Sequence, residues 1–346
     1  MNLFGMTLPE LQELCNRMQF PLFTAKQICD WVYNKREVSI DKMTNLSLIS
    51  RQKLNQIAYI QRDFPVECQV SKDGTKKYLF AINAETEGDN CPQQYVEAVY
   101  IPDNDRATLC ISCQMGCKMG CRFCVTGKQG FHGSLTTSQI VNQIFSIPEF
   151  SKLTNIVYMG MGEPMDNYEN IMKSIQILTS TWGLGWSSHR ITVSTVGIIP
   201  QLKRFLDESE CHIAVSLHNP YPEERLSIMP MEKAYPIQEV VELLKEYNWN
   251  GQRRISFEYI MFKDMNDDIK HAEALRKLLN GLHCRVNIIR FHASPNTPYQ
   301  TSTSERMNAF RNYLNQHGLI CTTRASRGED IMAACGLLAG KNKKQK

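Results

Sequence analysis

No stretch of this 346-residue chain approaches the run of about eighteen apolar residues that a membrane-crossing helix requires. The opening MNLFGMTLPE lacks the basic start and apolar run of an export signal. The expectation is therefore a cytoplasmic protein with no membrane partner, acting as a monomer. Glycine (19) and proline (14) together make up under a tenth of the chain, which excludes fibrous and low-complexity classes. A surplus of positive charge is missing too. Lys and Arg number 39 against 35 Asp and Glu, and the net +4 is accounted for by Lys341, Lys343, Lys344 and Lys346. Composition does not announce a strongly basic nucleic-acid binder, so any RNA contact has to come from local patches. What remains is globular: 42% hydrophobic and 21% charged residues, long enough for roughly two domains or for one large α/β unit with an appendage.

Cysteine, by contrast, is abundant. There are 13, an odd number in a chain without an export signal, so metal binding or catalysis is a better reading than a disulfide framework. Five fall within 15 residues: Cys110, Cys113, Cys117, Cys121 and Cys124.

Residues 1 to about 58 read as short helices. Thr7 and Glu10 form a capping-box signature before Leu8, Leu11, Leu14 and Met18; Thr24 opens a second helix, and a third covers Leu48 to Ile57. A hairpin is expected between Val66–Val70 and Lys76–Phe80 across Lys72-Asp73-Gly74-Thr75, then a loop over Ala84–Cys91 and a strand over Val96–Ile101. From Ala107 onward strands and helices alternate. Strands are expected at 107–112, 155–158, 190–195, 212–217, 255–260 and 286–291, with a weaker seventh at 320–324. Helices are expected at 137–147, 168–180, 237–247, 267–279 and 305–317. Such alternation implies βαβ units and a parallel sheet, too few for a complete eightfold barrel but enough for an open one. The expected division is 1–94 (helical and hairpin accessory region), 95–340 (α/β catalytic domain) and 341–346 (basic tail).

The decisive segment is Cys117-Lys-Met-Gly-Cys121-Arg-Phe-Cys124, a C-x3-C-x2-C loop just after the first strand of the α/β part. Three thiolates can each hold one iron of a cubane cluster, whose fully protein-ligated form takes four, leaving one iron open for a small ligand. The competing reading is a structural zinc site pairing Cys110-Ile-Ser-Cys113 with Cys121 and Cys124. Those pairs are only seven residues apart, whereas zinc ribbons separate them by about 15–20. Residues i and i+3 on a strand also point to opposite faces.

The loop resembles that of the radical S-adenosylmethionine enzymes. A narrower match follows in Thr108–Cys117, Cys124–Phe131, Met159-Gly-Met-Gly-Glu163-Pro164, Ser194-Thr195, Ser216-Leu-His218 and Ala333-Ala-Cys335-Gly336. These resemble the RlmN/Cfr family of RNA adenosine methyltransferases over roughly residues 95–340, and the N-terminal region suits that family as well. Taken singly, each would be read as structural: Gly160–Glu163 as a tight turn, His218 as a satisfied histidine, Cys335 as a small buried residue, Glu97 as a solvent-facing carboxylate. Their joint occurrence reverses the odds.

The resemblance implies a partial (βα)6 radical SAM barrel with an N-terminal helical and β-hairpin accessory domain. Cys117, Cys121 and Cys124 would ligate one [4Fe–4S] cluster, and Gly162, Glu163, Ser194, Ser216, Leu217, His218 and His292 would contact S-adenosylmethionine. Cys335 would carry the methyl group, Cys110 would be the second catalytic cysteine and Glu97 the general base. The implied reaction uses two S-adenosylmethionine molecules. One methylates Cys335. The second yields a radical that activates this methyl for addition to adenine, giving a protein–RNA crosslink. Cys110 resolves the crosslink, leaving a disulfide that an external thiol reductant must restore, and an external donor supplies electrons. The implied substrates are C2 of adenosine in 23S rRNA (the peptidyl-transferase centre) and of the adenosine 3′ to the anticodon in tRNA. The alternatives are a C8-directed enzyme of the Cfr type and a non-catalytic zinc and RNA-binding module. His292 stands where the family usually has Asn, Cys113 where it has Ser, and Leu337 where Gln is common. Candidate phosphate contacts are Lys72, Lys76, Lys77, Arg122, Lys128, Arg253, Arg254, Arg324 and Arg327.

Overall fold

A computed structural model describes residues 1–82, 93–293 and 297–340. The expected loop at Ala84–Cys91 and the basic tail lie outside the described residues. Helices α1 (Leu8–Arg17), α2 (Phe23–Cys29) and α3 (Leu48–Ile57) build the N-terminal part. The Thr7 N–H donates to Glu10 Oε2 at 2.8 Å, as the capping box requires, and Ser47 caps α3.

A single sheet then organises the chain. Strands β1 (Glu67–Val70), β2 (Lys76–Ile82), β3 (Gln94–Pro102) and β4 (Ala107–Cys110) form an antiparallel meander. From β4 the sheet continues in parallel through β7 (Asn155–Tyr158), β8 (Ile191–Thr195), β9 (His212–Ser216), β10 (Ile255–Met261), β11 (Arg285–Arg290) and β12 (Ile320–Arg324). A separate two-stranded ribbon pairs β5 (Gln114–Gly116) with β6 (Phe131–Ser134). The remaining helices are α4 (Val125–Lys128), α5 (Thr137–Phe145), α6 (Tyr168–Thr179), α7 (Ile199–Glu208), α8 (Pro222–Ile228), α9 (Ile237–Lys245), α10 (Ile269–Leu278) and α11 (Ser304–Gln316).

The central parallel strands are Val- and Ile-rich because both of their faces are covered; Ile156, Ile191, Val193, Ile213, Val215, Ile255, Val286 and Ile288 are all buried. Thr136, Asp268 and Thr303 cap α5, α10 and α11 through their side chains. The expected strands are all present, the weak seventh being the edge strand β12. Among the described residues β4 and β12 do not pair, so the parallel run is open. Its strands share one direction, which gathers their C-terminal ends at one edge, where α/β folds place chemistry.

Candidate active site

The cysteine loop leaves β5 at Gly116, whose φ is +78°. A Cβ here would lie 1.9 Å from the Gly130 carbonyl oxygen, so only glycine fits. Cys117 N–H donates to that same oxygen at 2.8 Å, and β6 returns to pair with β5, clamping both ends of the loop. The far side is tied to the C-terminal segment. Val125 N–H donates to Gly336 O at 2.8 Å, and the Thr126 hydroxyl donates to Leu338 O at 2.7 Å. These bonds bring Cys335 over the loop. One cleft of about 170 Å³ is lined by Cys117, Cys121, Cys124, Cys110 and Cys335 together with Gly162, Glu163, Ser194, Ser216 and His218. Burial pushes the Cys110 thiol up to about 12 even with Arg324 nearby, and the Cys117 thiol likewise to about 12; bound metal draws ligating thiols such as that of Cys117 into thiolates.

The turn after β7 is fixed from below. Gly162 has φ +101°, and a Cβ there would meet the Gln114 side chain at 2.5 Å. Gln114 Oε1 accepts the Glu163 N–H at 2.9 Å, and Ser112 Oγ accepts that of Met161 at 2.8 Å. Glu163 is buried, and burial raises its carboxyl to about 7 despite N–H donors from Val196 at 3.0 Å and Met165 at 3.1 Å. A cationic partner would complete this pocket electrostatically.

His218 sits in the left-handed region at φ +57°. Its Nδ1 accepts the Ile260 N–H at 3.1 Å, its carbonyl accepts from Asn266 Nδ2 at 2.6 Å, and its ring packs edge-on against Phe123. Burial, helped by Arg225, lowers its pKa to about 3. The ring is therefore neutral, and with Nδ1 accepting, its proton sits on Nε2.

Three predicted site residues lie elsewhere. The Leu217 side chain is buried outside the cleft lining, and its N–H donates to Glu258 O at 3.1 Å. Glu97 is buried beside the cleft, its carboxylate 3.2 Å from Lys77 Nζ and 2.8 Å from the Ala339 N–H. His292 borders an adjoining cavity, with Nε2 2.8 Å from Ser326 Oγ. Cys113 is a buried thiol outside the cleft lining.

Two charged cleft residues were missed as site residues. Glu258, from β10, takes bonds from Asn287 at 2.8 Å and Ser256 at 3.0 Å on Oε1, while Oε2 is buried without a hydrogen-bond partner. That oxygen is 3.8 Å from Arg324 Nη1, which donates to Met159 Sδ at 3.3 Å. Arg324 also lies within Coulombic reach of Cys335 and Cys110. A candidate phosphate contact from the sequence, it forms part of the cleft wall. Two other basic candidates are held by partners within the protein. Lys77 pairs with Glu97. Arg253 donates to the carbonyls of Cys211, Leu206 and Phe205, closing the C-terminal end of α7.

Comparison with known proteins fits this geometry. The radical SAM superfamily model matches residues 111–275, and that of the ribosomal RNA large subunit methyltransferase N-terminal domain matches residues 1–60. The "Probable dual-specificity RNA methyltransferase RlmN" of Parabacteroides distasonis is 56% identical over 97% of this chain and 96% of its own length. The chain belongs to the RlmN family. The dual-specificity RNA methyltransferase RlmN of Syntrophus aciditrophicus is 40% identical over 100% of this chain and 98% of its own. A radical SAM methyltransferase from Sphaerobacter thermophilus has a crystal structure that superposes with a TM-score of 0.89 at 38% identity, covering 99% of this chain and 100% of that one. Membership in the RlmN family makes the protein a radical SAM methyltransferase, with a [4Fe–4S] cluster and S-adenosylmethionine as its cofactors.

Proposed function

We propose that this chain methylates C2 of adenosine in 23S rRNA at the peptidyl-transferase centre and in tRNA at the adenosine 3′ to the anticodon. The observation that carries the reading is a single cleft bordered by the three loop thiols, by Cys110 and Cys335, and by the Glu163 and His218 pockets. Among the described residues no group of three or more His, Cys, Asp or Glu is close enough to hold one metal ion. An open set of thiols suits a cubane, in which each thiolate binds a different iron. A zinc ion with bonds of about 2.3 Å would need its sulfurs nearly in contact. Cys117, Cys121 and Cys124 would hold the cluster, Glu163 the ammonium group of S-adenosylmethionine, and Gly162, Ser194, Ser216, the Leu217 backbone and His218 the rest of that molecule. When bound, these groups supply an electron, a methyl group and the means to abstract hydrogen from it.

The chain's own residues do the remainder. Cys335 carries the methyl group, and its carbon becomes bonded to adenine. Cys110, as thiolate, then attacks the Cys335 sulfur: an S–S bond forms as the S–C bond breaks, the electron pair leaves with the carbon bound to RNA, and that carbon takes up a proton to become the methyl group of the product. Glu97, on the same face of β3 as the cleft residue Val99, accepts the proton lost from adenine. An external thiol reductant returns the disulfide to two thiols, and an outside donor supplies electrons. Apolar walls from Val99, Ile101, Ile260 and Leu338 exclude water from this chemistry.

The deciding experiment is anaerobic turnover of rRNA and tRNA followed by nucleoside digestion and mass spectrometry. 2-Methyladenosine from both substrates is the expected result; exclusive 8-methyladenosine, or no methylated adenosine with a loaded cluster, overturns the reading.

A further inference from the structure

The cleft that holds Cys335 is walled mainly by apolar side chains and has no place for a phosphodiester, whose charge would be costly to bury there. A nucleotide whose base reaches Cys335 must leave its phosphates at the mouth. A second cavity adjoins the cleft and shares Ile101, Ile289, Arg324, Ala333, Ala334 and Cys335 with it. It occupies the seam of the open barrel, bordered by Thr108 of β4 on one side and Arg324 of β12 on the other. Its outer wall is different in character. Arg106 comes from the turn between β3 and β4, and Arg327 and His292 from the loops after β12 and β11.

Arg106 and Arg327 each approach a single carboxylate, that of Asp103, and only at 3.7 Å. Neither side chain donates a hydrogen bond within the described residues, so two guanidinium forks face the opening with donors unspent. A further cavity beside Lys128 and His132 also borders the C-terminal segment, but its lining does not include Cys335. The seam cavity therefore has the continuity that a flipped-out base needs, and the one beside Lys128 has only charge.

We propose that the seam cavity is the vestibule through which the target adenosine enters, with Arg106 and Arg327 clamping the phosphodiesters on either side of the target nucleotide. This rests on the RNA methyltransferase reading and names the part of the RNA its site grips. The loop carrying Arg327 is held in place before any RNA arrives. Gly328 N–H donates to Asp73 at 3.0 Å, and Ser71 and Lys72 bond to Asp330. Asp103, 3.7 Å from each guanidinium, draws both arginines to one side of the mouth and competes with phosphate for them.

The test is fluorescence anisotropy of the intact, cluster-loaded protein with a labelled anticodon stem-loop RNA over a salt series. Arg106→Gln and Arg327→Gln should each weaken binding about tenfold, as loss of a charge-assisted hydrogen bond does. Each should also reduce the slope of log affinity against log salt by about one, and Arg→Lys variants should recover the slope. Asp103→Asn should tighten binding, the opposite of what a merely structural ion pair predicts. Lys277→Gln, at the far end of α10, should change nothing, and thermal melts check that every variant folds. Wild-type affinity and slope in both glutamine variants would overturn the vestibule while leaving the enzymatic reading intact. Absence of RNA binding by the wild type would instead sink that reading.

Discussion

At the residue scale the two catalytic cysteines make opposite predictions. Cys335→Ala removes the carrier, so turnover should cease and no protein–RNA adduct should appear on a denaturing gel. Cys110→Ala leaves the carrier and removes the thiol that releases it, so adduct should accumulate. Methylated product from the first variant, or no adduct from the second, would contradict the assigned roles. Glu97 is a sharper case because the carboxylate also holds structure together, between Lys77 and the Ala339 N–H. Glu97→Gln keeps an oxygen acceptor for Ala339 but no longer takes a proton or balances the Lys77 charge, so it should fold, less stably than wild type, and accumulate adduct. Glu97→Ala strands the buried Lys77 charge and should cost about 3–5 kcal/mol of stability in urea titration. Cysteines and glycine-rich turns were legible in the sequence because their chemistry and spacing are local. The Glu258–Arg324 pair was not, because the two residues are brought together only by β10 and β12 lying in one sheet.

At the element scale the sequence was informative where one pattern dominates. Parallel strands announce themselves as buried Val and Ile runs, and α3 spans the same Leu48–Ile57 read from the sequence. Helices α7 and α8 were passed over, α8 because it is short and buries Arg225 against Glu232, a charge that no hydropathy pattern assigns to an interior. The ribbon of β5 and β6 is shorter still, and two of its seven residues are glycine. The start of β9 carries a testable device. His212 Nδ1 accepts the Arg254 N–H at 3.0 Å, and burial, then the neighbouring Arg254 and His189, lower its pKa from the usual 6.5 to about 4. Between those values the unfolded chain binds the proton and the folded one does not. The stabilisation is complete above about pH 6.5 and fades as pH falls towards about 4. Denaturation midpoints should therefore drop over that window, and His212→Asn, which retains an acceptor, should flatten the drop. An unchanged slope in the variant would assign it to other groups.

At the scale of the whole molecule, the N-terminal helices are not tethered loosely to the barrel. Phe145 of α5 packs edge-on against Phe4 at 5.4 Å and Tyr33 at 6.0 Å, with Phe150 behind it at 5.1 Å. Polar bonds rim this aromatic cluster. Asn142 exchanges two hydrogen bonds with the Asp63 backbone at 2.9 and 2.7 Å, and Lys173 of α6 pairs with Glu10 of α1 at 2.5 Å. Burying aromatic rings from both parts in one core couples their unfolding, since neither can open without exposing the other's surface. Calorimetry should accordingly give one transition, with tryptophan fluorescence (Trp31 on the N-terminal side, Trp182 against Tyr33 from the barrel side) moving at the same temperature. Phe145→Ala should cost about 3–5 kcal/mol and, by emptying the shared core, separate that transition into two. A wild-type protein that already melts in two well-resolved steps would show that the N-terminal part is an independent body, and the ring contacts would then carry far less of the stability than their burial implies.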